Sequence, residues 1–515
     1  MSSPAVARHS DPATGPDPEP EAADFAIPAA GLPDAERLRA LDSMDDYLTR
    51  KRQHLVGYQA TQSMAGSALD LARFMMSNIN NLGDPFQSGG YKPNTKVVER
   101  AVLDYYAGLW HAGRPYDPAD PDSYWGYMLS MGSTEGNMYA LWNARDYLTV
   151  PGSPAPVAFY SEDTHYSFAK AVRVLGVATF HAVGSELYPD ECPLGGAWPT
   201  EVPSLAGPSG HSWDGPGAMD PERLALLVEF FAAKGHPVFV NFNLGSTFKG
   251  AHDDVRAAGE LLLPVFERHG LMERRLADGT VRRGFWIHVD GALGGGYAPF
   301  LRMAAADPQT YGWRPEHDLP EFDFGLRLPT AAHGELDFVS SIAMSGHKWA
   351  GVPWPCGVFM TRTKYQLEPP TRPEYIGAPD STFAGSRNGF SPLVLWDHLS
   401  RHSYQDQVDR IRESQQLAAY LERRLGELER ETGAELWTAR TPGAVTVRFR
   451  RPGPELVAKW SLSSESLLTV PGDPASRRDY VHVFLMPSVD RAKLDALLAD
   501  LAEDPVYRAA ATAAR

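Results

Sequence analysis

Lys348 ends the stretch Ser341-Ile342-Ala343-Met344-Ser345-Gly346-His347-Lys348, where an apolar run gives way to small and polar residues. A lysine just past a short strand can point its amine into a cleft. Partial desolvation there lowers its pKa and lets it form a Schiff base with a carbonyl cofactor. Upstream, Gly284-Phe285-Trp286-Ile287-His288-Val289-Asp290-Gly291-Ala292 reads as a buried strand ending in a carboxylate. Open α/β sheets bind ligands at that end of a parallel strand. An acid placed there can keep a ring nitrogen protonated, so that the ring withdraws electrons. Further upstream, Met131-Gly132-Ser133-Thr134-Glu135-Gly136-Asn137 opens a helical pattern carried by Met138, Leu141, Trp142 and Tyr147. Small hydroxyl residues at a helix start offer N–H groups and a positive dipole end to a phosphate, and N-capping by Ser133 or Thr134 is compatible with this. Between these stretches, His165 follows the apolar Val157–Phe159 in a turn, where its ring can stack on a flat cofactor. A lone lysine, strand-end aspartate or turn histidine is usually structural; their joint order makes the case.

In that order the four stretches resemble the group II pyridoxal phosphate (PLP)-dependent amino acid decarboxylases, in particular the bacterial histidine and plant serine decarboxylase subgroup. The resemblance runs from about Asn78 to Pro487 and takes in Trp125-Gly126-Tyr127, Asn243 to Ala251, Pro355 to Val358 and Gly385 to Gly389. It implies a fold type I enzyme, in the α/β class, with PLP as cofactor and no metal. Lys348 would carry the cofactor, Asp290 would bind the pyridine nitrogen, and His165 would stack on the ring with Ala292 on the opposite face. Ser133, Thr134, Ser345 and His347 would hold the phosphate, and Ser246 would lie near the hydroxyl edge of the ring. The implied reaction is loss of CO2 from an L-amino acid to give the primary amine. The protein's part is to hold the scissile bond perpendicular to the ring. The residue that protonates Cα would be a mobile tyrosine, with Tyr375 the first candidate and Tyr91 and Tyr311 weaker ones. A homodimer is implied as well.

The elements that must position these groups are readable. Residues 1–33, rich in Pro, Ala, Asp and Glu, are expected to form a disordered tail. A helical segment is expected over 34–82, packing across the implied dimer interface. Residues 83–390 alternate apolar strands (Val157–Tyr160, Val238–Phe242, Phe285–Val289, Phe338–Ala343) with helical lengths, predicting a mostly parallel central sheet in a large PLP-binding domain. Residues 391–515 read as a small α+β domain: a long helix from Leu393 to about Glu431, strands at Val445–Phe449 and Tyr480–Leu485, and a helix at Asp490–Ala502. Two insertions, about 192–220 and 304–332, are surface loops or lids.

Composition agrees. The 515 residues suffice for two or three domains, with 43% hydrophobic content. A net charge of −16 argues against nucleic acid as a partner. With only two cysteines, Cys192 and Cys356, no disulfide framework is expected and a reducing cytoplasm suits the chain. No apolar run is long enough to span a membrane, and no signal peptide is apparent.

Substrate choice turns on a departure from the subgroup. Where the Gly-Ser-Arg-Asn-Gly run of the histidine- and serine-type relatives is followed by His, this chain has Phe390. If residue 390 faces the substrate, a polar side chain loses a partner and an aliphatic one gains a dry wall; packing in the core is the competing reading. Asn81, Asp84 and Tyr375 are the other substrate candidates. The expectation is decarboxylation of Val, Leu, Ile or Met. The alternatives are a histidine or aromatic amino acid decarboxylase, a non-decarboxylating PLP enzyme (aminotransferase or C–C lyase), or a catalytically silent PLP-binding protein.

Overall fold

The computed structural model describes residues 19–62, 68–113, 115–332, 334–366, 368–369, 373–470 and 473–508. Of the expected N-terminal tail, residues 1–18 lie outside the described residues. Residues 19–33 carry one 3-10 turn, Ala22–Phe25, with no buried residue.

A seven-stranded sheet forms the centre. Its spatial order is Tyr124–Leu129, Gly357–Arg362, Ser341–Ser345, Phe285–Asp290, Val238–Asn243, Val157–Phe159 and Ala178–Thr179. Gly357–Arg362 runs antiparallel to both neighbours, and the other pairings are parallel. Every residue of Val238–Asn243 and Phe285–Asp290 is buried. Continuous apolar strands of this kind belong to parallel sheets covered on both faces. The register sets Asn243 beside Asp290 and Asp290 beside Ala343, so that three strand ends meet at one edge.

The helix Ser133–Leu148 starts at that edge. Its N-cap is Gly132, at φ 68°, and neither Ser133 nor Thr134 caps it as the sequence suggested. Gly132 is required there: a Cβ would sit 2.5 Å from His347 Cε1. Ser133 and Thr134 are thereby left as the first helical residues, facing the strand ends.

The N-terminal segment, expected to be helical over 34–82, is helical in part. A helix spans Asp34–His54, and among the described residues that follow, up to 82, there are short helical turns at Ala68–Leu71 and Ala72–Met76. Past the helix end the chain passes close to another segment: at Gly57 a Cβ would lie 2.2 Å from the Ser461 carbonyl oxygen. Here the chain threads against the small domain. Val56 joins that domain's core, Val56 N–H donates to Trp460 O, and Phe484 N–H donates to Val56 O.

The C-terminal part has an antiparallel sheet, Thr446–Arg450, Arg477–Phe484 and Ser463–Leu468 in spatial order, with its own core. The single long helix expected from Leu393 is two helices, Phe390–Ser400 and Tyr404–Thr432. Ser403 separates them because it forms a capping box with Asp406, which starts a new helix. Among the described residues no helix is long and apolar enough to cross a membrane.

Candidate active site

All nine residues expected to hold the cofactor line one cavity of about 220 Å³ at the C-terminal edge of the parallel strands. Lys348 follows the strand Ser341–Ser345 in a turn, and its amine donates to Gln59 Oε1 at 2.5 Å. Burial pushes the Lys348 pKa down, against the opposing pull of Asp290. The same N-terminal segment also pins the lysine's backbone: Thr61 N–H donates to Lys348 O at 3.1 Å and Thr61 Oγ1 to Trp349 O at 3.0 Å.

Asp290 is held by a chain of donors whose direction can be read from its two ends. The Trp286 indole, which can only donate, gives its N–H to Ser341 Oγ at 2.9 Å. At the other end the Asp290 carboxylate only accepts, so Asn137 turns its Oδ1 to His288 Nε2–H at 3.0 Å and the neutral ring takes the Ser341 hydrogen at Nδ1, 2.8 Å away. The Asn137 amide is left to donate to Asp290 Oδ2 at 2.6 Å. Burial depresses His288 to about 3, in keeping with a neutral ring. Ala292 N–H donates to the other carboxylate oxygen at 3.1 Å.

At the opposite end of the cavity, Ser133 N–H donates to Ser345 Oγ at 2.9 Å, and Ser345 Oγ donates to Ser133 Oγ at 3.0 Å. With the positive end of the helix Ser133–Leu148 and the His347 ring beside them, they suit an anion. His165 caps the helix Tyr166–Leu175 through Nδ1, which lies 2.6 Å from Ser167 Oγ. Burial, and secondly Lys348, lowers its pKa. Ser246 Oγ accepts from Ala251 N–H at 3.0 Å. An amine, an acid and a hydroxyl-lined helix start, set around one cavity, fit a phosphorylated pyridine aldehyde.

The four substrate candidates do not line this cavity. Asn81 and Asp84 are fully buried, and partners within the protein engage their side chains. Asn81 donates to Glu99 at 2.8 Å and accepts from Thr95 N–H at 2.8 Å. Asp84 accepts from Ser381 Oγ at 2.6 Å and from Trp125 Nε1 at 3.1 Å. With the buried Arg387–Glu99 pair they tie the 78–84 loop to the 380s. Tyr375 is 87% exposed. Phe390 is half-buried and stacks on Trp354, ring centroids 5.3 Å apart. It therefore reaches the cavity only through the neighbouring Pro355, which lines it. Tyr91 bonds to Asn78 O at 2.8 Å, and Tyr311 lies against Met303 Sδ at 3.8 Å. Neither insertion contributes to the cavity wall.

No protein-family model matches the chain. Among solved structures, L-methionine decarboxylase from Streptomyces sp.590, in complex with L-methionine methyl ester, is 74% identical. The match covers 96% of this chain and 100% of that one, with a TM-score of 0.94. The chain belongs to the group II PLP-dependent amino acid decarboxylases. Curated members of this decarboxylase family agree. Histidine decarboxylase of Vibrio campbellii is 28% identical over 471 residues, covering 91% of this chain and 95% of the relative. Serine decarboxylase 1 of Oryza sativa subsp. japonica is 29% identical over 459 residues, covering 88% and 73%. This decarboxylase thus has the cofactor and reaction class expected from its sequence. Gln59, against Lys348, and Asn137, against Asp290, are site residues that sequence reasoning missed.

Proposed function

We propose that this decarboxylase converts L-methionine to CO2 and 3-methylthiopropylamine. The observation that carries this is the full-length, 74% identical L-methionine decarboxylase, whose structures hold L-methionine methyl ester and 3-methylthiopropylamine. In this reading Lys348, whose pKa burial lowers, carries the cofactor covalently. Ser133, Thr134, Ser345 and His347 take the phosphate. Asp290, held by Asn137 and Ala292, keeps the pyridine nitrogen protonated. Bound PLP supplies the electron sink for the pair left on Cα when CO2 departs. His165 covers one ring face in its neutral form and Ala292 the other. Gln59 restrains the Lys348 amine when it is released from the cofactor. The Phe390–Trp354 pair stiffens the apolar wall at Pro355.

A homodimer is part of this reading. In one chain Leu38, Leu41 and Leu48 of the helix Asp34–His54 are half-exposed, and Met75 and Met76 more so. A second copy would cover them and supply a loop tyrosine, with Tyr375 the candidate. Two unpaired cysteines suit a cytoplasmic setting.

The test is CO2 release and amine identification from a panel of L-amino acids with PLP, alongside Lys348→Ala. The expected result is 3-methylthiopropylamine from methionine, absent in the variant. Histamine, or a 2-oxo acid without CO2, would overturn the assignment. A dilute monomer with full activity would refute the dimer.

A further inference from the structure

The strongest feature left unused by the reaction is a buried ion pair behind the cofactor cavity. Lys249 Nζ lies 3.4 Å from the Asp163 carboxylate, and the two side chains are 6% and 12% exposed. Each partner belongs to a different cofactor-facing loop. Asp163 stands two residues before His165. Lys249 stands three residues after Ser246, in a loop closed by Gly250 N–H donating to Ser246 O at 2.9 Å. The pair therefore cross-links the turn that covers the ring face to the loop at the ring's hydroxyl edge. A second tie lies alongside: Asn243 Nδ2 donates to Thr164 Oγ1 at 3.0 Å and to Ser161 Oγ at 3.1 Å.

The first insertion completes the clamp. Ser204 Oγ donates to Asp163 at 2.7 Å, and Ser212 O accepts from Lys249 at 2.9 Å. The same segment is gripped from the small domain. Arg448 donates to Trp213 O at 3.2 Å, Thr441 Oγ1 donates to Pro216 O at 2.9 Å, and the Arg478 guanidinium lies 5.1 Å over the Trp213 ring. Residues 204–216 thus form a strap that runs from the small domain to the Asp163–Lys249 pair.

We infer that Asp163 and Lys249 are positioning residues: their strap-supported ion pair fixes His165 over the ring and Ser246 at its edge, and so sets the alignment of the scissile bond. The inference rests on the cofactor site proposed above. A small displacement of such covering groups lowers turnover without emptying the site, because alignment is lost before binding is.

The experiment uses holoenzyme of three variants: Asp163→Asn/Lys249→Met, which removes both charges together, Ser204→Ala, which loosens the pair mildly, and Lys249→Arg, the conservative replacement. Each is measured for kcat, KM, cofactor content, visible circular dichroism of the bound cofactor and Tm. The expected result for the double variant is full cofactor content, kcat lower by about 10-fold or more and an altered dichroic band. Ser204→Ala should show a smaller change of the same kind at nearly unchanged Tm, and Lys249→Arg should retain most of the wild-type kcat. The inference is overturned if the double variant keeps wild-type kcat and dichroism. If the double variant fails to fold, Ser204→Ala decides: an unchanged kcat and band make the pair merely structural. A wild-type protein with no cofactor band would instead sink the cofactor site itself.

Discussion

Replacing Asn137 with leucine tests the electronic core of the site. The change keeps the side-chain volume but removes the amide that donates to Asp290 Oδ2 at 2.6 Å, and it strips His288 Nε2–H of its acceptor. Both groups are buried, so water does not replace what is lost. A hydrogen bond to a charged group contributes about 1.5–3 kcal/mol. Losing it leaves the Asp290 carboxylate with only the Ala292 N–H as donor, so its negative charge is less well stabilised. Asp290 then competes better for the proton it shares with the pyridine nitrogen, and the ring's electron-withdrawing power falls. The expected outcome is a kcat lower by about 10- to 100-fold, the same energy read through the barrier, with KM little changed. The assay is CO2 release from L-methionine across substrate concentration, with cofactor content checked by absorbance. A variant with full cofactor content and kcat within about threefold of wild type would refute the chain of argument from Trp286 to Asp290.

Three further outcomes are expected. Gln59→Ala removes the 2.5 Å partner of the buried Lys348 amine and should lower kcat by roughly 10-fold at unchanged Tm, measured by the same assay. Phe390→Ala removes the Trp354 stack and should raise KM for methionine several-fold more than it lowers kcat; equal effects on both would show that Phe390 serves the fold rather than the substrate wall. Acid should destabilise the protein. Burial holds His252 and His482 at about 4 and His288 and His398 at about 3, so below the unfolded value of about 6.5 the unfolded chain gains protons that the folded one refuses. Asp253, raised to about 7 by burial, works in the opposite direction. Glu135, Asp163 and Glu465 are raised by burial as well, so the histidines prevail by a narrower margin and stability should fall between about pH 6 and pH 4. A Tm that holds constant from pH 7 to pH 5 would contradict it.

The residues that line the cavity were legible because each sits at the end of a local pattern. Lys348 and Asp290 follow apolar strands, and a parallel sheet gathers strand ends at one edge whatever the intervening loops do. Gln59 was not legible. It meets Lys348 across 289 residues, and it arrives there because Val56 is buried in a different domain's core. Asn81 and Asp84 show the reverse. A polar pair reads alike whether it awaits a ligand or closes a buried network, and only the partners Thr95, Glu99, Trp125 and Ser381 decide. The split of the long C-terminal helix has a local cause: Ser403 and Asp406 restart it with their own side chains.

The threading of Val56 and Gly57 also dictates when activity can begin during synthesis. The segment that delivers Gln59 and Thr61 emerges from the ribosome early, yet the surfaces that hold it, Trp460 and Phe484, are made some 400 residues later. Lys348 itself is synthesised long before those surfaces exist. The nascent chain can therefore build the central sheet and still lack a finished amine environment, because contacts this far apart in sequence form late. Catalysis starts only when the last domain folds back over the first-made residues, so a chain truncated anywhere before that point is released without it.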